Sequence, residues 1–171
     1  SNNWLICLAD SRVDFTKQNL VGPGKILMLE LNTAHSDGKA LPAGTFNVLN
    51  PMEITAAASL TPFTVVPGLS AEDGSIYGTW YLATDTQGGD FQPLCAAQKG
   101  TVSVKKTGDT YTIDFDITDD DFKISVKGSY TGKPYIHDGT ADTTSVSTRT
   151  TAASGKALNI HKSARRQAFR K

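Results

Sequence analysis

Between Gly100 and Thr131 the sequence alternates apolar and polar residues three times over, and a period of two is the period of a pleated strand. Val102 and Val104 form one apolar row. Tyr111, Ile113, Phe115 and Ile117 form a second, and Phe122, Ile124, Val126 and Tyr130 a third. Thr107-Gly108-Asp109 and the run Thr118 to Asp121 separate the rows with turn chemistry. Three antiparallel strands are predicted. A four-residue turn at Thr118 to Asp121 would pair Ile117 with Phe122, Phe115 with Ile124 and Ile113 with Val126 on one face. The same register sets Asp116 across from Lys123 on the other face.

Shorter segments of the same kind recur upstream, and helical periodicity is scarce. Trp4 to Ala9 places Trp4, Ile6 and Leu8 on one side and Leu5, Cys7 and Ala9 on the other, so both faces read as buried and the segment as a central strand. After the break at Gly22-Pro23-Gly24, Lys25 to Asn32 alternates Leu27, Leu29 and Leu31 against Ile26, Met28, Glu30 and Asn32. The turn residues from Ser36 to Gly44 lead into Thr45 to Leu49, and the two strands read as a hairpin. Pro51 to Gly74 reads as loop with one short strand at Phe63 to Val66. Ser75 to Thr84 resumes the alternation, with Ile76, Trp80 and Leu82 opposite Tyr77, Thr79 and Tyr81.

These segments predict an all-β fold: a single antiparallel domain over residues 1–137, a β-sandwich or a barrel-like, calycin-like arrangement. A chain of 171 residues is long enough to bury a real core in one domain. From Asp138 to Ser154 the composition turns to Thr, Ser, Ala and Asp, too polar for a core of its own. Residues 138–171 are therefore read as a Thr/Ser-rich loop and a basic C-terminal extension. Ala157 to His161 offers one last strand, and Ser163 to Lys171 a short basic helix or a frayed arm.

Lys+Arg and Asp+Glu both number 17, and this balance gives no reason to expect nucleic acid or an anionic membrane as partner. The charge is nevertheless segregated. Lys156, Lys162, Arg165, Arg166, Arg170 and Lys171 share the end of the chain with no acid, which leaves the body before them negative. Arg165, Arg166, Arg170 and Lys171 are the candidate docking residues for an acidic partner surface. No apolar run approaches the length of a membrane helix.

Catalytic chemistry is not legible. His35, His137 and His161 have no nucleophile or acid at a motif spacing, and Ser70 lacks the second glycine of a nucleophile elbow. Asp119, Asp120 and Asp121, like Asp138 and Asp142, are hard-oxygen groups without the spacing of a calcium loop, and the triple Asp reads as a solvated hairpin tip. Asp114 and Asp116 read as a charged outer surface. Cys7 and Cys95 lack the paired spacing of a zinc or redox motif, which leaves two buried small side chains or one long-range disulfide. No metal or cofactor is expected. For ligand binding the one suitable aromatic cluster is Tyr77, Trp80 and Tyr81, with Trp4 as a further member. Alternation places Trp80 and Tyr81 on opposite faces, so Tyr77 and Tyr81 would form the binding side.

The order of segments carries a resemblance. Trp4-Leu5-Ile6-Cys7-Leu8-Ala9-Asp10, Ile26-Leu27-Met28-Leu29-Glu30-Leu31 and Leu41-Pro42-Ala43-Gly44-Thr45-Phe46 are followed by Gly100-Thr101-Val102-Ser103-Val104, Tyr111-Thr112-Ile113-Asp114-Phe115-Asp116 and Gly128-Ser129-Tyr130-Thr131-Gly132. Over Asn3 to Pro134 this resembles the small surface lipoproteins of Bacteroides-type gut bacteria. The resemblance implies a lipid-anchored location at the outer membrane and an accessory role beside SusC/SusD-like, TonB-dependent uptake systems for glycans or peptides. It carries no catalytic residues. The runner-up expectation is a stand-alone surface module that binds a glycan or peptide.

Overall fold

The computed structural model describes residues 1–10, 23–54, 61–84 and 92–134. Eleven strands cover most of them: β1 (Asn2–Ala9), β2 (Gly24–Thr33), β3 (Gly44–Val48), β4 (Thr64–Val65), β5 (Leu69–Ser70), β6 (Ile76–Tyr77), β7 (Trp80–Thr84), β8 (Gln92–Ala96), β9 (Lys99–Thr107), β10 (Thr110–Asp119) and β11 (Ile124–Gly132). A single 3-10 turn, Pro51–Glu53, interrupts them, its open amide at Met52 capped by the Asn50 side chain at 3.0 Å. The residues 138–171, the proposed last strand at Ala157 to His161 and the basic extension lie outside the described residues.

The main sheet runs β11-β10-β9-β3-β4-β2-β7-β8, and it curls into a half-barrel. β1 pairs with β2 along its whole length, from Asn2 with Thr33 to Ala9 with Ile26. A strand has two edges, so β4 and β7 share the other edge of β2, β4 beside Leu31 and Asn32 and β7 beside Gly24 to Met28. Trp4 to Ala9 is thus a strand paired on one side among the described residues, not the central strand its two apolar faces suggested.

Alternation sorts the side chains into two clusters, one on each face. On the concave face Ile6, Leu27, Leu29, Leu31, Phe46, Val65, Val102, Ile113 and Ile117 make the principal core, joined by Leu41 from the loop before β3. On the convex face Ile26, Met28, Trp80, Leu82 and Ala96 form a smaller one, with Cys7, Ala9 and Ile76 against it. Cys7 and Cys95 fall on opposite faces and remain free thiols, which removes the disulfide alternative. Burial raises both thiols to about 11.

Three further sequence expectations are corrected. β2 and β3 do not form a hairpin, because the two-residue β4 lies between them, parallel to β3 and antiparallel to β2. Its neighbours hold it there: Phe63 N donates to Asn32 O at 2.7 Å, Asn47 N to Phe63 O at 3.2 Å and Val66 N to Glu30 O at 2.8 Å. Ser75 to Thr84 is not one strand. Gly78, at a φ of +78°, breaks it, and β6 pairs with β5 in a separate two-stranded sheet. Finally, β9, β10 and β11 are the three expected antiparallel strands, but the β10–β11 register moves four residues along: Ile117 meets Val126, Asp116 meets Lys127 and Asp119 meets Ile124.

Candidate functional site

The register moves because Asp119 is not at a solvated tip. It occupies the inward position after Ile117, is 2% exposed, and spends both carboxylate oxygens on backbone amides. Oδ1 accepts from Asp121 N and Phe122 N, each at 3.0 Å, and Oδ2 accepts from Ala96 N on β8 at 3.0 Å. The turn therefore closes over 120–123, with Lys123 at a positive φ of 56°, and β10 extends two residues past Ile117, to Asp119. Around Asp119 the junction continues: Gln98 N donates to Thr118 O at 2.9 Å, Gln98 Oε1 accepts from Asp120 N at 2.7 Å, Gln98 Nε2 donates to Asp121 at 2.7 Å, and Lys99 pairs with Asp120. The acidic run is thus a clasp that ties the β10–β11 tip to β8 and β9. Among the described residues no group of three metal-ligating side chains comes together.

The clasp brings β8 and β11, the two ends of the sheet path, close to each other, with Cys95 Sγ 3.8 Å from Ile124 O. Leu94, Phe122 and Ile124 flank this junction and are 40%, 49% and 38% exposed. Phe122 and Ile124 were expected on the apolar row facing Ile117 and Phe115. The longer β10 moves them to the rim and gives their partners to Val126 and Gly128. Sequence reading had no signal for this group, since Leu94 is isolated in its segment and the other two fit an inward pattern.

The expected aromatic cluster is not brought onto one surface. Trp80 is buried in the convex cluster, where its Nε1 donates to Tyr77 O at 2.7 Å. Tyr81 points to the concave core, and Tyr77 is exposed on β6. Trp4, the further member, packs against the concave core from β1. Arg165, Arg166, Arg170 and Lys171 lie outside the described residues, as do His137, His161, Asp138 and Asp142. His35 is exposed in the loop after β2, and Ser70 is exposed on β5 opposite Ile76. No family model, curated protein or solved structure matches the chain.

The outer face of β9–β11 is polar and internally paired. Asp116 takes Lys127 at 2.9 Å in place of the expected Lys123, and this bond raises the Lys127 ammonium above its ordinary value. Asp114 accepts from Ser129 at 2.6 Å, Thr112 bonds Thr131 at 3.2 Å and Thr118 bonds Ser125 at 3.0 Å. Asp109, hydrogen-bonded to Lys133 at 2.8 Å, is held below the usual carboxylate range. Such ladders satisfy one another across the strands and leave little unspent bonding for a ligand.

Proposed function

We propose that the chain is a non-enzymatic binding subunit, an accessory surface lipoprotein that packs against a SusC/SusD-like, TonB-dependent uptake complex for peptides or glycans. One observation carries this reading: Leu94, Phe122 and Ile124, on the segments that meet at the β8 to β11 junction, are each more than a third exposed. Among the described residues, the other exposed large apolar side chains, Met52, Phe63 and Tyr77, lie in separate segments. Apolar side chains grouped at a surface favour a protein contact. The junction also suits docking because Asp119 and Gln98 fix the tip against β8, so little ordering remains to be done on binding. The resemblance in the strand sequences supports the location and the class of partner. An anchor upstream of Ser1 would hold the domain at the membrane surface.

The experiment is affinity purification from detergent-solubilised outer membranes of the source. Stoichiometric recovery of a TonB-dependent transporter by the native chain, lost in a Phe122→Asp, Ile124→Asp double variant with unchanged urea midpoint, is the expected result. Recovery of the native chain alone overturns the reading.

A further inference from the structure

β2 lies along one side of β1 over its whole length, and among the described residues no strand lies along the other. A sheet edge presents a row of unpaired N–H and C=O groups that can template another strand, so edges are normally guarded by charge or proline. The two ends of the sheet path carry such guards, Pro93 on β8 and Lys127 on β11. β1, Asn-Asn-Trp-Leu-Ile-Cys-Leu-Ala, has no charged residue, no proline and no glycine.

The hydrogen bonds fix which backbone groups of β1 face that open side. Asp10 N donates to Lys25 O at 3.2 Å, and because the direction alternates along an antiparallel strand, Leu8, Ile6 and Trp4 turn theirs to β2 as well. β2 agrees from its own side. Glu30 N donates to Thr79 Oγ1, Glu30 O accepts from Val66 N and Asn32 O accepts from Phe63 N, all on the side away from β1, which leaves Leu27, Leu29 and Leu31 to bond β1. Asn3, Leu5, Cys7 and Ala9 therefore aim their N–H and C=O groups at the open edge. Asn3 is exposed there, and Leu5 is only partly buried and belongs to neither core cluster.

We propose that β1 pairs antiparallel with β1 of a second copy of this chain, continuing the sheet across a two-fold axis at Ile6. The four outward residues are centred on Ile6, so the axis sets Leu5 opposite the partner's Cys7 and Asn3 opposite the partner's Ala9, and every edge donor meets an edge acceptor. Even-numbered residues then meet even-numbered ones, which keeps the concave faces of both copies on one side. Ile6 meets the partner's Ile6, and Trp4 meets the partner's Leu8. A copy suits this edge better than a charged strand would: it brings no charge against Trp4 to Ala9, its register is self-complementary, and one isologous contact uses up the edge and stops the assembly at two. Leu94, Phe122 and Ile124 lie on other segments, so this pairing stands without the docking reading above.

The test is sedimentation equilibrium of the full chain over a dilution series up to about 1 mM, with amide hydrogen exchange of the nitrogen-15-labelled protein at both ends of the series. A monomer–dimer equilibrium is expected, in which the Leu5 and Cys7 amides exchange more slowly at high concentration while those of Ile6 and Leu8, bonded to β2, do not change. Leu5→Pro removes an outward N–H and no bond to β2, so dimerisation should weaken at least about tenfold with the Ile6 and Leu8 amides still protected. Leu5→Lys, at a side chain outside both core clusters, should weaken it too by setting two ammonium groups beside the axis, and added salt should restore part of the loss. A chain monomeric throughout, a dimer that both variants leave intact, or protection of Leu5 and Cys7 that ignores concentration would each overturn the proposal. Slowing of these amides only when an unrelated apolar peptide is added, with the chain itself monomeric, would give the edge to a partner strand and overturn the pairing of copies.

Discussion

Asp119 offers the sharpest test of how this sheet is held. Its carboxylate accepts three backbone amides, one of them the buried Ala96 N across the junction. Asp119→Asn keeps the Oδ1 position, where the side-chain carbonyl still serves Asp121 N and Phe122 N. It places an amide donor against the Ala96 donor, and one charge-assisted bond to a buried amide is lost, at a cost of about 1.5–3 kcal/mol. Asp119→Ala also uncaps the turn. The two turn amides are partly buried and can take water in part, so the total comes to about 3–5 kcal/mol. Equilibrium urea unfolding of the wild type and both variants, read by tryptophan fluorescence, gives the midpoints and the slope. The expected order is wild type, Asn, Ala, with an unchanged slope if the native sheet persists. The charge also contributes to raising the Cys95 thiol, after burial, so Asp119→Asn should speed alkylation of Cys95 in the folded protein at high pH. An Ala variant within about 0.5 kcal/mol of wild type would refute the clasp, because that is the scatter of ordinary surface changes.

Other substitutions probe other parts of the fold. Phe46→Ala empties the centre of the concave core, where the ring also lies 5.7 Å from that of Phe63, and should cost about 3–5 kcal/mol in urea unfolding. Gly100 has a φ of +125° and a Cβ there would run into Asp116 O, so Gly100→Ala should cost about 3 kcal/mol or more, against about 1 kcal/mol for Ala at Gly108, where the space is open and only the φ of +58° is strained. The thiols give a pH signature: both titrate near 9 when unfolded and near 11 when folded, so the unfolded chain releases their protons first. Stability present below pH 9 should fall between pH 9 and 11, and a Cys7→Ala, Cys95→Ala variant should lose less over that window, as compared by urea midpoints.

The period-two pattern made the strands and their faces legible. Trp4, Ile6 and Leu8 do face the core opposite Cys7 and Ala9, and Val102, Val104, Ile113 and Ile117 do meet on the concave side. The same pattern is blind to an even shift of register, since moving Ile117 from Phe122 to Val126 leaves every side chain on its face. What decides between the two is Asp119, and its partner Ala96 is distant in sequence, so a run of three Asp read as a solvated turn. β4 falls within the short strand expected at Phe63 to Val66, but its place was not legible: two residues do not show which strands they join, and β4 owes its position between β2 and β3 to the loop amides around Phe63. The candidate binding residues were less legible still. Tyr77, Trp80 and Tyr81 look like one aromatic group along the chain, but the break at Gly78 and the two faces of β7 separate them.

The central claim, that the β8 to β11 junction is a docking surface for an outer-membrane transporter, is tested most directly by site-specific photo-crosslinking in the source cells. A benzophenone amino acid placed at Phe122 reports the junction, and one at Thr112 reports the polar outer face of β10. Crosslinks from position 122 to a TonB-dependent transporter, with none from position 112, are the result the account expects. Crosslinks from 112 alone, or from neither position, would contradict it.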